Sequence, residues 1–258
     1  MRYQFNEKLH LHLLDDKPLT GTSSVEDVLS KNLVWWAAEL AAVECLESGE
    51  KIETIRQEYE EAAKSKDKKS AIDALQKKYP IFKTARYAHY QSKNKSAKKG
   101  VNLHEELEAF VKGEMGIIKK REYDPKIQPF IEWAKENVKR FLYSEAHCFD
   151  EELWVGGISD AGAELMDGKY AVIDFKSSKE VYTNQFIQTA GYATQIDKNG
   201  LWDKNGEVNK KLDKIEALIV VPFGAEIIKP DIRFNVDDYK QGFEWCVGLY
   251  RLLGLNKN

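Results

Sequence analysis

The sequence is poor in cysteine. Only three occur in 258 residues, Cys45, Cys148 and Cys246, and they lie far apart. That spacing excludes a Cys-x-x-Cys zinc site or an iron–sulfur cluster, and the odd number argues against a disulfide framework. Long apolar runs are also missing: none approaches the roughly 20 residues that cross a bilayer. The opening "MRYQFNEKLHLHLL" lacks the apolar core and small-residue cleavage site of a signal peptide. The expectation is a cytoplasmic protein in a reducing compartment, with no membrane partner.

What is present is enough for a core. The chain is 43% hydrophobic and 31% charged, which excludes a disordered polymer and allows one large domain or two modest ones. The net charge of −3 does not by itself point to nucleic acid, but its distribution is uneven. Residues 51–100 hold 14 Lys and Arg against 6 Asp and Glu, so +8, and the rest of the chain carries −11. A basic segment in an acidic protein suits a polyanion; a solvated helical face would look the same. Within it, "YPIFKTARYAHYQSKNKSAKK" interleaves Tyr79, Phe82, Tyr87 and Tyr90 with Lys83, Arg86, Lys93 and Lys95, and ends on Lys98 and Lys99. Base-stacking rings among phosphate-pairing cations suit single-stranded nucleic acid, while the same rings could form the core of a helical bundle.

Patterning divides the chain. Residues 2–14 alternate weakly and predict a short hairpin turning at Asn6-Glu7-Lys8, with His10 and His12 on one strand face. These two read as exposed strand histidines, with a metal pair as the alternative. Trp35, Trp36, Leu40 and Val43 mark a helical core face. Further helices are predicted over 50–63, 67–79 and 81–95. Another begins at Asn102, with Glu105 three residues on completing a capping box; its apolar stripe is Leu103, Leu107, Phe110 and Val111. Residues 126–141 read as a helix. Strands follow over 142–149, 154–165 and 170–177, then a helix over 183–196, a buried strand "IEALIVVPF", a short edge strand over 231–235 and a last helix over 236–254. The expected fold is α/β. A mainly helical region over 1–120, with the hairpin, precedes an α-β-β-β-α-β core over 121–258 with a mixed sheet flanked by helices.

The segment "GGISDAGAELMDGKYAVIDFKSS" holds two strands, and its turn decides which residues meet. A two-residue loop at Asp167-Gly168 sets Asp160 opposite Phe175. A three-residue loop with Gly168 left-handed in a bulge pairs Leu165 with Lys169, and so Asp160 with Asp174. Only the second register gathers Ala161, Ala163, Leu165, Ala171, Ile173 and Phe175 on one apolar face, leaving Asp160, Glu164, Asp174 and Lys176 on the other. The bulged turn is therefore predicted. Two opposed aspartates repel unless a positive charge intervenes. Oxygen ligands at that spacing suit a hard cation such as Mg²⁺ or Mn²⁺; a surface acidic pair neutralised by Lys176 is the alternative.

Gly157-Ile158-Ser159-Asp160, then Asp174-Phe175-Lys176, then Gln188-x-x-x-Tyr192 resembles the PD-(D/E)XK nuclease superfamily, in its RecB-like exonuclease branch. That branch is marked by GxxD, (D/E)xK and QxxxY in this order. "KKGVNLHEELEAFVKGE" is similar to the segment carrying the family's histidine, here His104, and "YSEAHCFDEELWVGGISD" to the strand carrying an extra acid, here Glu145. The "PLTGTSSVEDVLSKNLVWWAAELAA" opening resembles phage-encoded members and mitochondrial genome-maintenance exonucleases. The likeness covers about residues 15–197. Ser159 stands where the superfamily name has Pro, and Val101-Asn102 depart from the family's approach to the histidine.

The resemblance implies a restriction-endonuclease-like core and a metal-dependent DNA nuclease, an exonuclease taking a free end or a single strand in phage or bacterial recombination or repair. The helical first half would guide one strand. It implies one or two Mg²⁺ or Mn²⁺ ions, held by Asp160, Asp174, the Phe175 carbonyl and His104, with Glu145 binding a second or reaching the first through water. Lys176 would orient or deprotonate the attacking water, and Gln188 and Tyr192, one turn apart, would face the phosphate. Tyr87, Tyr90, Lys93, Lys95, Lys98 and Lys99 would touch DNA. The rival readings are a structure-selective or restriction-like endonuclease with the same site, and a catalytically silent DNA-binding module.

Overall fold

The computed structural model describes residues 3–29, 41, 52–65 and 67–255, with side chains at 52–53, 65, 68–69, 71, 76, 83, 86–101 and 209 outside the description. Trp35, Trp36, Leu40 and Val43 lie outside the described residues. The chain divides into two compact units, Met1–Ser30 with Gly100–Asn258, and Lys31–Lys99; the sequence had placed a division near residue 120.

In the smaller unit, α2 (Ile52–Ser65) and α3 (Lys68–Lys78) are both helical as expected. The Glu58 carboxylate accepts from Lys78 Nζ at 2.6 Å and from the Tyr79 hydroxyl at 2.8 Å, tying the end of α3 to α2.

The next helix, α4 (Pro80–Glu114), differs from expectation. It runs unbroken for 35 residues, so Asn102 is an interior residue and caps nothing. Pro80 sits at its start, where the missing N–H costs no bond. Gly100 weakens a helix by about 1 kcal/mol, less than two new helix ends would cost in unpaired backbone groups.

The larger unit is built on an eight-stranded mixed sheet. After α5 (Gln128–Asn137) come β5 (Val138–Asp150), β6 (Val155–Leu165) and β7 (Tyr170–Lys176), an antiparallel meander. The helix expected over 126–141 ends at Asn137, because Val138–Phe141 pair with Leu165–Ala163. Next come α6 (Thr183–Asn199) and β10 (Ile215–Pro222), which returns parallel to β7. Short strands β8 (Leu201–Trp202), β9 (Asn209–Lys210) and β11 (Asp231–Arg233) extend the edges, giving the order β11-β10-β7-β6-β5-β8-β9. The chain closes with α7 (Val236–Leu252). Among the described residues no helix is long and apolar enough to cross a membrane.

Both faces of the sheet are covered. Leu107, Phe110 and Val111 of α4 and Phe130 and Ile131 of α5 pack on Ala161, Ala163, Leu165, Ala171, Ile173 and Phe175, the face predicted from the pattern. Phe186, Ala190, Ala193 and Ile196 of α6 pack on Val172, Leu218 and Val220 behind it. Burial on both sides is why β10 reads as one apolar run.

The first thirty residues belong to this unit. The strands β1 (Tyr3–Asn6) and β2 (Leu11–Leu14) form the expected hairpin, and β3 (Lys17–Pro18) adds a third strand. Then β4 (Thr20–Gly21) pairs with Val155–Gly156 of β6 and leads into a single helical turn, α1 (Thr22–Val25). His12 is buried, contrary to the exposed position expected, and His10 lies in the turn outside β2. The Tyr3 hydroxyl meets His12 Nδ1 at 2.6 Å and His147 Nδ1 at 2.9 Å. One hydroxyl has one proton, so it donates to one imidazole and accepts from the other, and the two rings hold opposite tautomers.

Burial pulls the His12 imidazole down to about 3, and burial also lowers His147. Both are neutral in the fold at pH 7, and unfolding frees them to take up protons below about pH 6.5. Stability from His12 is complete above that pH and is lost as the pH falls toward 3, by at most about 1.4 kcal/mol per pH unit. Thermal melts between pH 7 and pH 5 will show a shallower fall for His12→Gln than for the native protein, and the difference isolates His12.

Candidate active site

The turn between β6 and β7 has the predicted bulge. Leu165 N–H donates to the Lys169 carbonyl at 2.8 Å, Gly168 N–H donates to the Leu165 carbonyl at 2.9 Å, and Gly168 has φ of +88°. The ladder runs Glu164–Tyr170, Ala163–Ala171, Gly162–Val172 and Ala161–Ile173. One step further in that register, Asp160 stands opposite Asp174.

The strands then part. Asp160 Oδ2 accepts from the Phe175 N–H at 2.7 Å, replacing a ladder bond with a side-chain bond. β6 changes face here. The Ser159 hydroxyl bonds the Tyr143 hydroxyl at 2.8 Å, and a Cβ at Gly162 would lie 2.1 Å from the Tyr143 ring. Residues three apart point to opposite faces of a regular strand, so one residue of slack is taken up between them, at Asp160. The partner strand is irregular at the same place. Ser144 pairs with Ala161 and Ala146 with Ser159, and between them Glu145 has φ of +50°. A left-handed glutamate costs about 1–2 kcal/mol and marks a constraint imposed by its surroundings.

Three predicted residues form a chain of contacts beside Asp174. Lys176 Nζ lies 2.8 Å from Asp174 Oδ2, a buried ion pair. Lys176 Nζ also donates to Gln188 Oε1 at 2.6 Å. Gln188 Nε2 donates to the Tyr192 hydroxyl at 2.8 Å, fixing which way the amide faces.

The charges are strongly perturbed. Asp174 is 2% exposed, and burial lifts its carboxyl to about 7, against Lys176, while Asp160 adds to the rise. Burial pulls the Lys176 ammonium down, but Asp174 and Asp160 outweigh it and the pKa ends above the ordinary value. Burial holds the Tyr192 phenol well above its usual range.

On the other side, His104 Nε2 stands 3.5 Å from Asp160 Oδ1, with its ring edge-on to Phe175. The bond to Asp160 raises the imidazole's pKa, against burial. Glu108 and Lys112 follow His104 at intervals of four, on the same helix face. Lys112 Nζ pairs with Glu108 and lies 3.3 Å from Glu145 Oε2. Burial raises the Glu145 carboxyl, and Glu108 adds to the rise.

The structure therefore brings Asp160, Asp174, Lys176, Gln188, Tyr192 and His104 to one end of the hairpin, with Glu145 across from Asp160. Glu164, grouped with the acids by its face, sits at the far end and binds Lys139 at 2.6 Å and Arg140 at 2.7 Å. Tyr87, Tyr90, Lys93, Lys95, Lys98 and Lys99 fall on α4, but their side chains lie outside the described residues.

Two acids were missed. Glu108 could have been found from its spacing to His104. Glu26, from the 3₁₀ turn Glu26–Leu29, has a buried Oε2 without a hydrogen-bond partner and lies within the electrostatic reach of Lys176 and Asp174. Nothing local in the sequence marks it.

Among the described residues no group of three His, Cys, Asp or Glu side chains is gathered tightly enough to hold a metal ion. The expected ligands are neighbours, but not an assembled cage. The carboxylates turn instead to donors of the protein: Asp174 to Lys176, Asp160 to His104 and the Phe175 N–H, Glu145 to Lys112. The donor chemistry nevertheless suits a hard cation, with carboxylates predominating.

No family model matches the chain, and no curated protein matches it.

The ion pair of Asp174 and Lys176 gives a direct test of this arrangement. Lys176→Met leaves a buried carboxyl without its cation and will destabilise the protein by about 3 kcal/mol in urea unfolding at pH 8. Asp174→Asn in the same chain will recover most of that loss, as the double-mutant cycle measures.

Proposed function

We propose that the chain is a divalent-metal-dependent deoxyribonuclease of the PD-(D/E)XK kind, with a restriction-endonuclease-like core, that hydrolyses phosphodiester bonds from a free DNA end. One observation carries the reading: GxxD, DxK and QxxxY, spread over residues 157–192, supply side chains that meet at one hairpin end, with Gln188 bonded to Lys176. The element order supports it, since an antiparallel meander followed by a helical crossover to a parallel strand is the arrangement that the three motifs require. A role in recombination or repair goes with that activity.

Mg²⁺ or Mn²⁺ would be held by Asp160, Asp174, the Phe175 carbonyl and His104, and a second ion by Glu145. Such an ion polarises the phosphodiester and lowers the pKa of water. The protein's own groups do the rest. Lys176 stays an ammonium beside its two aspartates, so its part is to neutralise charge developing on the phosphoryl oxygens rather than to take a proton. Gln188 holds that ammonium in place, since its amide is fixed at both ends. The Tyr192 phenol keeps its proton and serves as a donor. His104 carries a proton to higher pH than a free imidazole, so cation binding there competes with protonation.

The test is digestion of end-labelled linear DNA and of circles, single- and double-stranded, with Mg²⁺, Mn²⁺ or EDTA. Linear DNA will be degraded with either ion and left intact in EDTA, and circles will survive. Asp174→Ala will abolish activity, and Lys176→Ala will lower kcat by roughly 10²–10³-fold. Cut circles would mean an endonuclease built on the same site. Cleavage in EDTA, or activity surviving Asp174→Ala, would overturn the mechanism.

A further inference from the structure

Next to the candidate active site, the larger unit holds a cavity of about 380 Å³, within the size range of small-ligand pockets. Its wall comes from the turn and strands of the first hairpin, His10 and His12 included, from β4 and α1, from the start of β6, and from single residues of α6 and α7. Ser23 and Ser24 bring hydroxyls, Tyr192 and Tyr250 phenols, Trp154 an indole and Ile158 an apolar patch. Among the described residues lining it there is no carboxylate and no Lys or Arg. His12, which also lines it, is neutral at pH 7 because of its burial.

That lining is selective. Outside residues 51–100 the chain carries a charge of −11, so a concavity free of carboxylates is a local exception. Neutral hydroxyl donors accept an anion without an opposing acid, and aromatic walls offer stacking surfaces to a planar ring. Phosphate, sugar and base together make a ligand with both needs.

The position relates the cavity to the chemistry. Ile158 precedes Asp160 by two residues on β6, about 7 Å along a strand. Tyr192 is common to both: it lines the cavity, and its hydroxyl bonds the Gln188 amide that holds Lys176. A phosphodiester held at Asp160 and Lys176 would have its neighbouring nucleotide within reach of the cavity.

We propose that this cavity takes the terminal nucleotide of the strand being digested, with its phosphate on the Ser23 and Ser24 hydroxyls and its base against Trp154 and Tyr250. The proposal rests on the nuclease reading of the neighbouring site. It supplies that reading with a cause for end selectivity, because a pocket for one nucleotide favours a strand that stops there over one that passes through.

The first experiment needs no catalysis. Thymidine 5′-monophosphate is dialysed against the full chain in EDTA. Saturable binding is expected, weakened at least tenfold by Ser24→Glu, which puts a carboxylate into the pocket. Tyr250→Ala, which only removes a half-buried ring, should weaken it in the same direction, and circular dichroism melts check that both variants fold. The second experiment compares kcat/KM on a single-stranded oligonucleotide with that on bis(p-nitrophenyl) phosphate, which is too small to span both sites. The ratio should fall at least tenfold in each variant. Absent nucleotide binding, or binding that both variants leave unaltered, overturns the pocket whatever the hydrolytic activity. Binding lost in Ser24→Glu, in a native protein that hydrolyses neither substrate, would uphold a nucleotide pocket and remove the nuclease reading instead.

Discussion

The Phe175 N–H donates to Asp160 Oδ2 at the point where β6 and β7 part. A backbone donor there has to be satisfied, because the strand is buried on both faces. With no ladder partner left, it takes a side chain, that of Asp160. One bond thus does two things. It ends the pairing cleanly, and it anchors one carboxylate beside Asp174 and Lys176. The left-handed Glu145 on the far strand belongs to the same distortion. Packing on both sides of the sheet, from Phe110 and Phe130 in front and Phe186 and Ile196 behind, offsets the strain.

The electrostatics follow from this crowding. Asp160, Asp174, Glu26, Glu108 and Glu145 gather around one strand end, and Lys176, Lys112 and His104 answer them. Buried pairs of this kind add little to stability, since desolvation consumes most of the attraction. Burial itself holds groups in unusual protonation states, as the carboxyl of Asp174, lifted to about 7 against the pull of Lys176, illustrates. Such perturbations concentrate where chemistry is done.

How far the sequence could be read depended on the range of the forces involved. The turn at Gly168 and the alternation in β6 and β7 are local, and they were enough to set the register and the apolar face. β10 was legible because burial on both sides leaves an uninterrupted apolar run. The failures have longer-range causes. Asn102 with Glu105 carries every local mark of a helix start, but an established helix runs through it. Val138–Phe141 continues a helical pattern until pairing with β6 overrides it. His12 was placed at the surface because His147, which shares the Tyr3 hydroxyl with it, lies 135 residues away in the chain. The strand at Thr20 pairs with Val155, and Glu26 approaches Lys176, across similar distances. No window of sequence contains both ends of such a contact.

The bulged turn also limits how this chain can vary in length. Residues 166–168 are a solvent-facing tip, the kind of place where insertions and deletions are usually tolerated. Here the Leu165–Lys169 closure sets the phase of β7. Loss or gain of one residue inside it would exchange the faces of the strand, turning Ile173 and Phe175 toward α6 and driving Asp174 and Lys176 into the aromatic core beside Phe130. A change of two would restore the faces but slide Asp174 away from Asp160. Only extra residues that loop out beyond an unchanged closure leave the site intact. The most exposed part of the hairpin is therefore free to change the side chains of Met166 and Asp167, but not the left-handed Gly168 or the length of the closure.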